Sequence, residues 1–327
     1  MTAPLPEFKL IRSTSLEDAV AALAHNKSAR LCAGGTDLIV NMRHGLMETD
    51  TLIDVSNIQD LKHLEIDEAG LHIGAGVTLD KIAQNKTIAE TYPAISQACL
   101  SIAGPSHRNA ATLGGNLCLD TRCLYYNQSH WWRKSNNYCL KYKGDICHVA
   151  PVGKRCRAAY SGDLAPAFIA LGAEIDIAHA KGQRRVPLEE FYYEDGADHL
   201  VLHPSEIVIG IHVPPTTAKS GYLKVRVRGA IDFPLAGVAV VCKKIDRSTL
   251  RFSVAITGTN SCPVAVHVPD LIEGEDHVAF FAALEKSVRK SISPQRTTTT
   301  GAHYRRLSVA ALTRRLAKEL SEKWACD

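Results

Sequence analysis

The chain has 327 residues, of which 46% are apolar and 22% charged, with a formal net charge of +4. That length exceeds one ordinary domain and suits two or three, and so modest a charge does not mark a nucleic-acid binder. No apolar run approaches the ~20 residues that cross a bilayer. The opening Met1-Thr2-Ala3-Pro4-Leu5-Pro6 lacks the basic start and apolar stretch of a signal peptide, so the expectation is a cytoplasmic protein with no membrane contact and reduced thiols.

Taken in order, Ser15 and Asp18 form a capping signature ahead of Leu16, Ala19, Val20 and Leu23, one apolar helix face. Arg30-Leu31-Cys32-Ala33 reads as a short strand running into Gly34-Gly35-Thr36-Asp37-Leu38. Two glycines between strand and helix permit positive φ and offer backbone N–H groups to an anion, with Thr36 adding a hydroxyl donor. An ordinary strand–helix turn would look the same, and the dinucleotide fingerprint G-x-G-x-x-G is absent. Strands are expected at Leu52–Val55 and Leu71–Gly76, and helices at Leu79–Gln84 and Ile95–Ile102. A second glycine loop follows, Ala111-Thr112-Leu113-Gly114-Gly115-Asn116. Two such loops in one α/β segment favour a bulky diphosphate held from two sides.

Between that loop and the turn Tyr160-Ser161-Gly162-Asp163-Leu164-Ala165-Pro166 lies an aromatic, basic segment with Cys118, Cys123, Cys139, Cys147 and Cys156, half of the chain's 10 cysteines. Cys123, Cys139, Cys147 and Cys156 are widely spaced and form no C-x2-4-C knuckle of a structural zinc site, nor is the C-x2-C-x2-C of a bacterial ferredoxin present. A loop wrapping a cluster or another metal, disulfides, and unrelated buried thiols all remain open on spacing; a reducing compartment weighs against disulfides. Tyr125, Tyr126, Trp131, Trp132, Tyr138 and Tyr142 either shield such a centre or simply form the core of the insertion. Arg122, Arg133, Lys134, Lys141 and Lys143 either offset its charge, meet an acidic partner, or are solvated.

Beyond the insertion, Leu164–Leu171 reads as a helix, and Ala173–Ala178 and Glu206–Val213 as strands, the latter broken by Pro214-Pro215. Tyr222–Arg228 alternates, with Leu223, Val225 and Val227 opposite Lys224, Arg226 and Arg228. Ala236–Cys242 and Phe252–Ile256 are further strands, Thr297–Thr300 a strand or turn, and His277–Lys290 and Leu307–Trp324 helices. Strands first and helices last suggest a C-terminal α+β domain. No G-x-S-x-G, H-E-x-x-H or Walker loop occurs, so no catalytic side chain is expected and the chemistry lies in bound cofactors. Of the scattered histidines, His107 and His148, near the second loop and the cysteines, are the ones to watch.

The pair Ala33-Gly34-Gly35-Thr36-Asp37-Leu38 and Ala111-Thr112-Leu113-Gly114-Gly115-Asn116 resembles the motif pair of the FAD-binding medium subunits of molybdenum hydroxylases, the xanthine and carbon monoxide dehydrogenase family. The likeness continues through Lys224-Val225-Arg226-Val227-Arg228, Asp232-Phe233-Pro234-Leu235-Ala236 and Tyr304-Arg305-Arg306. It implies an α+β protein: a vanillyl-alcohol-oxidase (PCMH)-like FAD-binding domain of two α/β subdomains, then a C-terminal α+β domain with an antiparallel sheet. The implied division is 1–56, 57–215 with the cysteine-rich insertion 117–160, and 216–327. Implied FAD contacts are Leu31, Cys32, Ala33, Gly34, Gly35, Thr36, Asp37, Leu38, Ala111, Thr112, Gly114, Gly115, Asn116, Asp163, Val208 and Lys224.

Within the family, Thr121-Arg122-Cys123, Tyr125-Tyr126-Asn127-Gln128-Ser129, Trp131-Trp132-Arg133 and Tyr138-Cys139-Leu140-Lys141-Tyr142-Lys143-Gly144-Asp145 resemble the insertion of the 4-hydroxybenzoyl-CoA reductase branch. That resemblance implies an extra [4Fe–4S] cluster on Cys123, Cys139, Cys147 and Cys156, with Cys118 a buried thiol beside the flavin loop. It also implies ferredoxin as electron donor and removal of the phenolic hydroxyl of 4-hydroxybenzoyl-CoA as water, in anaerobic aromatic degradation. The implied partners are a molybdenum large subunit and a small subunit with two [2Fe–2S] clusters, in a dimer of heterotrimers. The alternative is the FAD subunit of an oxidative molybdenum hydroxylase of xanthine or carbon monoxide dehydrogenase type, which needs no such cluster. A third reading is a zinc-stabilised scaffold on a degenerate flavin fold.

Overall fold

The computed structural model describes residues 5–325; Met1–Pro4, on which part of the leader argument rests, lie outside them. The first sheet holds β1 (Lys9–Arg12), β2 (Arg30–Cys32) and β3 (Thr51–Asp54) in the order β1-β3-β2, all parallel. Parallel neighbours need crossovers, which α1 (Leu16–His25) and α2 (Leu38–Arg43) supply. The Ser15 hydroxyl accepts the Asp18 N–H at 3.1 Å, and Ala19, Val20 and Leu23 are buried, as the capping pattern predicts. β1 escapes the sequence reading because Leu10 and Ile11 stand between Lys9 and Arg12, too short a pattern to show a period.

The second sheet is antiparallel, in the order β4-β5-β8-β6-β7: β4 (Leu64–Asp67), β5 (Gly70–Gly74), β6 (Glu174–His179), β7 (Gly182–Pro187) and β8 (Ile207–Val213). Between β5 and β6 run seven helices: α3 (Leu79–Ala83), α4 (Lys86–Thr91), α5 (Pro93–Ser101), α6 (Pro105–Ala110), α7 (Leu113–Leu117), α8 (His130–Ser135) and α9 (Leu164–Ala170). The insertion lies between α7 and α9 and has α8 as its one regular helix.

The third sheet takes β9 (Lys219–Val225), β10 (Ala236–Lys244), β11 (Thr249–Thr257) and β12 (Val264–Val266) in reverse order, with β13 (Leu271–Ile272) on β11. It is followed by α10 (His277–Ser291) and α11 (Ala302–Ala325). Ala236–Cys242 is a continuous apolar run because β10 is covered on both faces. Ala239 and Val241 join the core that contains α5 and α9, and Val238, Val240 and Cys242 join the core under α10 and α11. This sheet is therefore gripped from both sides. β9 begins at Lys219, earlier than the alternation suggests, and ends at Val225; Val227 is 70% exposed. Thr297–Thr300 is a bend rather than a strand. No helix among the described residues is long and apolar enough to cross a membrane.

Arg305 sews α11 to the rest. It is fully buried and donates to the carbonyls of Leu235 (2.8 Å), Gln295 (2.9 Å) and Gly258 and to the Thr297 hydroxyl (3.1 Å). Burial lowers its pKa to about 10, still charged at neutral pH. Arg305→Met would strand these acceptors without water, each orphan costing about 1–3 kcal/mol. We expect a loss of at least ~3 kcal/mol in urea unfolding; a change within ~0.5 kcal/mol, the range of an ordinary surface substitution, would contradict this.

Candidate functional site

The two glycine loops meet. A Cβ on Gly34 would sit on the Ala110 carbonyl, directly before the second loop, so only glycine lets the strands of chain pass this closely. Gly35 has φ +67°, the left-handed region that glycine enters without strain. Among the described residues, the backbone N–H groups of Gly34, Gly35, Thr36 and Asp37 donate to no protein acceptor. Gly34 is exposed and its neighbours half-buried. A run of unpaired donors at a glycine turn is an anion cradle, and this is the observation on which a diphosphate fits.

The second loop differs from the sequence expectation. Gly114-Gly115-Asn116 lies inside the short helix α7, capped by the Thr112 hydroxyl. The Gly114 N–H donates to Ala75 (2.8 Å) and the Gly115 N–H to Thr112 Oγ1 (3.3 Å), so neither is free for an anion. Gly114 is small because a Cβ would press on Ala75, and Gly115 leaves an exposed backbone face. Asn116 Oδ1 accepts the Leu164 N–H at 3.2 Å, bracing α7 against α9. The physical reason is local: a capped helical turn consumes its own donors, which an open loop would not.

Asp163 is buried where the segment that carries the two glycine turns meets the third sheet. It accepts the Tyr222 hydroxyl at 2.6 Å and Lys224 Nζ at 3.0 Å, and Lys224 is itself 3% exposed. Burial pushes the Asp163 carboxyl above the usual range against the pull of Lys224 and Tyr222. Lys224 Nζ also reaches the Asp232 carbonyl at 3.3 Å. Thus Lys224, on the basic strand face, is a buried counter-ion and not a solvated charge. Val208 is buried in β8, beside Ile209, whose carbonyl accepts the Ala75 N–H at 2.9 Å. Leu31, Cys32, Ala33, Leu38 and Ala111 are half-buried around the first loop and its contact with the second. Sequence reasoning missed Tyr222 and also Tyr160, whose hydroxyl lies 3.0 Å from the Leu117 carbonyl at the end of α7; only the position of Tyr160 just before Ser161-Gly162-Asp163 hinted at it.

The insertion closes on a second feature. Cys123, Cys139, Cys147 and Cys156 line one cavity, together with Lys141 and Tyr126. Cys118 is not among its walls; it caps α7, and burial pushes its thiol up to about 12. Among the described residues no group of His, Cys, Asp or Glu converges tightly enough for a single metal ion. The Ala158 N–H lies 3.4 Å from Cys156 Sγ, and the N–H groups of Tyr125 and Tyr126 pull the Cys123 thiol down against burial, which raises it. Lys141 Nζ is buried, bonded to Asp120 (2.7 Å), Thr121 (2.8 Å) and the Gly196 carbonyl (2.6 Å). Arg133 is 2% exposed, with its guanidinium 4.7 Å from the Tyr142 ring centre. Of the basic residues, Lys134 is exposed, Lys143 faces Glu48, and Arg122 pairs with Asp37. His148 lines the cavity and packs on Tyr125, whereas His107 is exposed. All-sulfur donors, N–H groups aimed at sulfur and buried cations fit an anionic iron–sulfur cluster, which takes one thiolate per iron and so spreads its ligands.

Residues 6–216 match the family described as the FAD binding domain in molybdopterin dehydrogenase, and the chain belongs to that family of FAD-binding oxidoreductase subunits. It is similar to the xanthine dehydrogenase FAD-binding subunit of Escherichia coli O157:H7, 25% identical over 316 residues and 94% of each chain. It is 33% identical over 236 residues to the aldehyde oxidoreductase FAD-binding subunit PaoB of Escherichia coli (strain K12), covering 68% of this chain and 74% of that one. Its fold matches a carbon monoxide dehydrogenase structure from Hydrogenophaga pseudoflava with a TM-score of 0.77 at 22% identity, over 98% of this chain and 99% of that one.

Two outcomes follow from this geometry. Gly34→Ala drives a methyl group into the Ala110 carbonyl and parts the loops; the purified variant should carry little FAD, and full occupancy would refute the cradle. Lys224→Met leaves the Asp163 charge buried with only a hydroxyl, an arrangement that costs about 3–5 kcal/mol. Chemical denaturation checks this, and adding Asp163→Asn should recover part of the loss.

Proposed function

We propose that this chain is the FAD and [4Fe–4S] electron-transfer subunit of an enzyme of the 4-hydroxybenzoyl-CoA reductase type. The observation that carries the reading is the convergence of Cys123, Cys139, Cys147 and Cys156 on one cavity flanked by the buried Lys141. Four cysteines that share one cavity without converging tightly enough for a single ion suit a cluster, which takes one thiolate per iron. FAD, when bound, exchanges electrons singly or in pairs, and the cluster exchanges them singly.

The chain's own residues do the holding. Gly34, Gly35, Thr36 and Asp37 offer backbone N–H groups to the diphosphate, and the exposed face of Gly115 lets the ligand approach α7. Asp163 and Lys224 set the floor where the third sheet begins. Around the cavity, the Ala158 N–H faces Cys156, and Lys141 supplies positive charge against thiolates that burial would otherwise keep protonated, Cys156 being pushed up to about 12. Tyr126 and Tyr142 keep water from the thiols. Substrate chemistry then belongs to partners: a molybdenum subunit and a small subunit with [2Fe–2S] clusters, assembled as a dimer of heterotrimers in the cytoplasm, with ferredoxin as donor.

Chemical analysis of the anaerobically purified chain tests the reading. We expect FAD with iron and acid-labile sulfide, and no reduction of 4-hydroxybenzoyl-CoA without the partner subunits. Cys139→Ala or Cys147→Ala should lose iron and sulfide, while Cys118→Ala should keep both. Flavin without iron would make the chain the FAD subunit of an oxidative molybdenum hydroxylase instead; zinc without sulfide or flavin would leave a scaffold.

A further inference from the structure

We propose that Arg122 is a positioning residue that couples the cysteine cavity to the FAD loop, so that cluster and flavin bind with positive cooperativity. The inference rests on the functional reading above and adds a linkage between its two sites. Arg122 belongs to both. Its backbone closes the neck of the insertion: its N–H donates to the Ala159 carbonyl and its carbonyl accepts the Ala159 N–H, each at 2.7 Å. On either side of this bridge stand cavity cysteines, Cys123 directly after Arg122 and Cys156 three residues before Ala159. Its side chain points the other way. The guanidinium donates to Asp37 Oδ1 and to Asn41 Oδ1 (3.5 Å), while Asn41 Nδ2 donates to Asp37 Oδ2 at 2.9 Å. Both carboxylate oxygens of the last residue of the anion cradle are thereby held from outside the cradle. The guanidinium also lies 4.6 Å from the Phe233 ring centre.

The insertion grips the same stretch further on. The Tyr126 hydroxyl donates to the Leu46 carbonyl at 2.5 Å, Arg133 donates to the Gly45 carbonyl, and the Tyr142 hydroxyl donates to Glu48 at 2.5 Å. α2 and the loop behind it are thus pinned at several points by residues that also surround the cysteines. Pinning matters because Gly34–Asp37 has no internal hydrogen bonds through its N–H groups to hold its shape. A cradle that must be ordered by its ligand binds more weakly than one already ordered. A filled cavity rigidifies the insertion, the insertion orders the cradle, and linkage requires the reverse effect to be equal.

The test uses the full chain, purified anaerobically, stripped of FAD and titrated with FAD by flavin fluorescence, with iron and sulfide measured on the same samples. Arg122→Gln should raise the Kd for FAD roughly tenfold, the scale of one charge-assisted contact, while iron and sulfide are retained. Arg122→Lys should recover part of the affinity, since it keeps the charge but loses the two-pronged grip. Cys139→Ala, lacking the cluster, should weaken FAD by a similar factor. Asp37→Asn decides the matter if Arg122→Gln does not fold. Removing a negative charge beside a diphosphate would by itself tighten binding, so weaker binding reports lost positioning. Unchanged affinity in Arg122→Gln or in Cys139→Ala, or unchanged or tighter affinity in Asp37→Asn, overturns the coupling alone. A wild-type chain that binds no FAD overturns the functional reading and the coupling with it.

Discussion

A carboxylate buried without a counter-charge is among the most costly things a fold can contain, and this one is organised to avoid it. Asp163 stands at the start of α9, in the part of the chain that carries the FAD-binding motifs. Lys224 and Tyr222 reach it from β9, at 3.0 and 2.6 Å. Displacing the third sheet would leave both charges desolvated and unpaired, a penalty far above that of losing a surface ion pair. The apolar contacts of α5 and α9 with β9 and β10 supply the bulk of the attraction between the parts. The ion pair and the Tyr222 hydrogen bond add a directional contact where α9 meets β9.

The insertion poses the opposite problem. Its regular structure is one six-residue helix, and its hydrophobic core is little more than Leu46, Cys123, Tyr126, Cys156 and Ala158. It is held to its surroundings mainly by polar anchors: Lys141 to Gly196, Cys156 to Asp195, and Leu124 to the Thr297 carbonyl. Buried cations and stacked rings there are poor sources of folding energy by themselves. They suit the anionic cluster proposed above, whose binding free energy would add to that of folding. The same economy explains why the insertion leans on α2: a weakly cored segment borrows rigidity from its neighbour, and the neighbour carries the anion cradle.

How far the sequence reached depended on the range of the interactions concerned. The first glycine turn, the capped α1 and the continuous apolar run of β10 were legible because each is decided by near neighbours or by a simple period. The second glycine stretch was legible as a glycine-rich turn but not as a short helix, since Thr112 capping and the Ala75 contact decide its form. The basic stripe on β9 was ambiguous for the same reason. Lys224 and Arg226 alternate identically in sequence, and only the position of Asp163 makes one of them a buried counter-ion.

The sequence by itself determined the two glycine-rich turns, the clustering of cysteines after the second of them and the α+β order of elements, because these follow from composition, spacing and local backbone freedom. Spacing left open which insertion cysteines meet; the resemblance named Cys123, Cys139, Cys147 and Cys156, and the tertiary structure brings those four to one cavity without Cys118. It also decided that Arg122 faces Asp37 while Lys141 stays with the sulfurs. These outcomes depend on where residues distant along the chain are brought together, and on which charges find partners once water is removed; neither is written in the spacing of a single stretch.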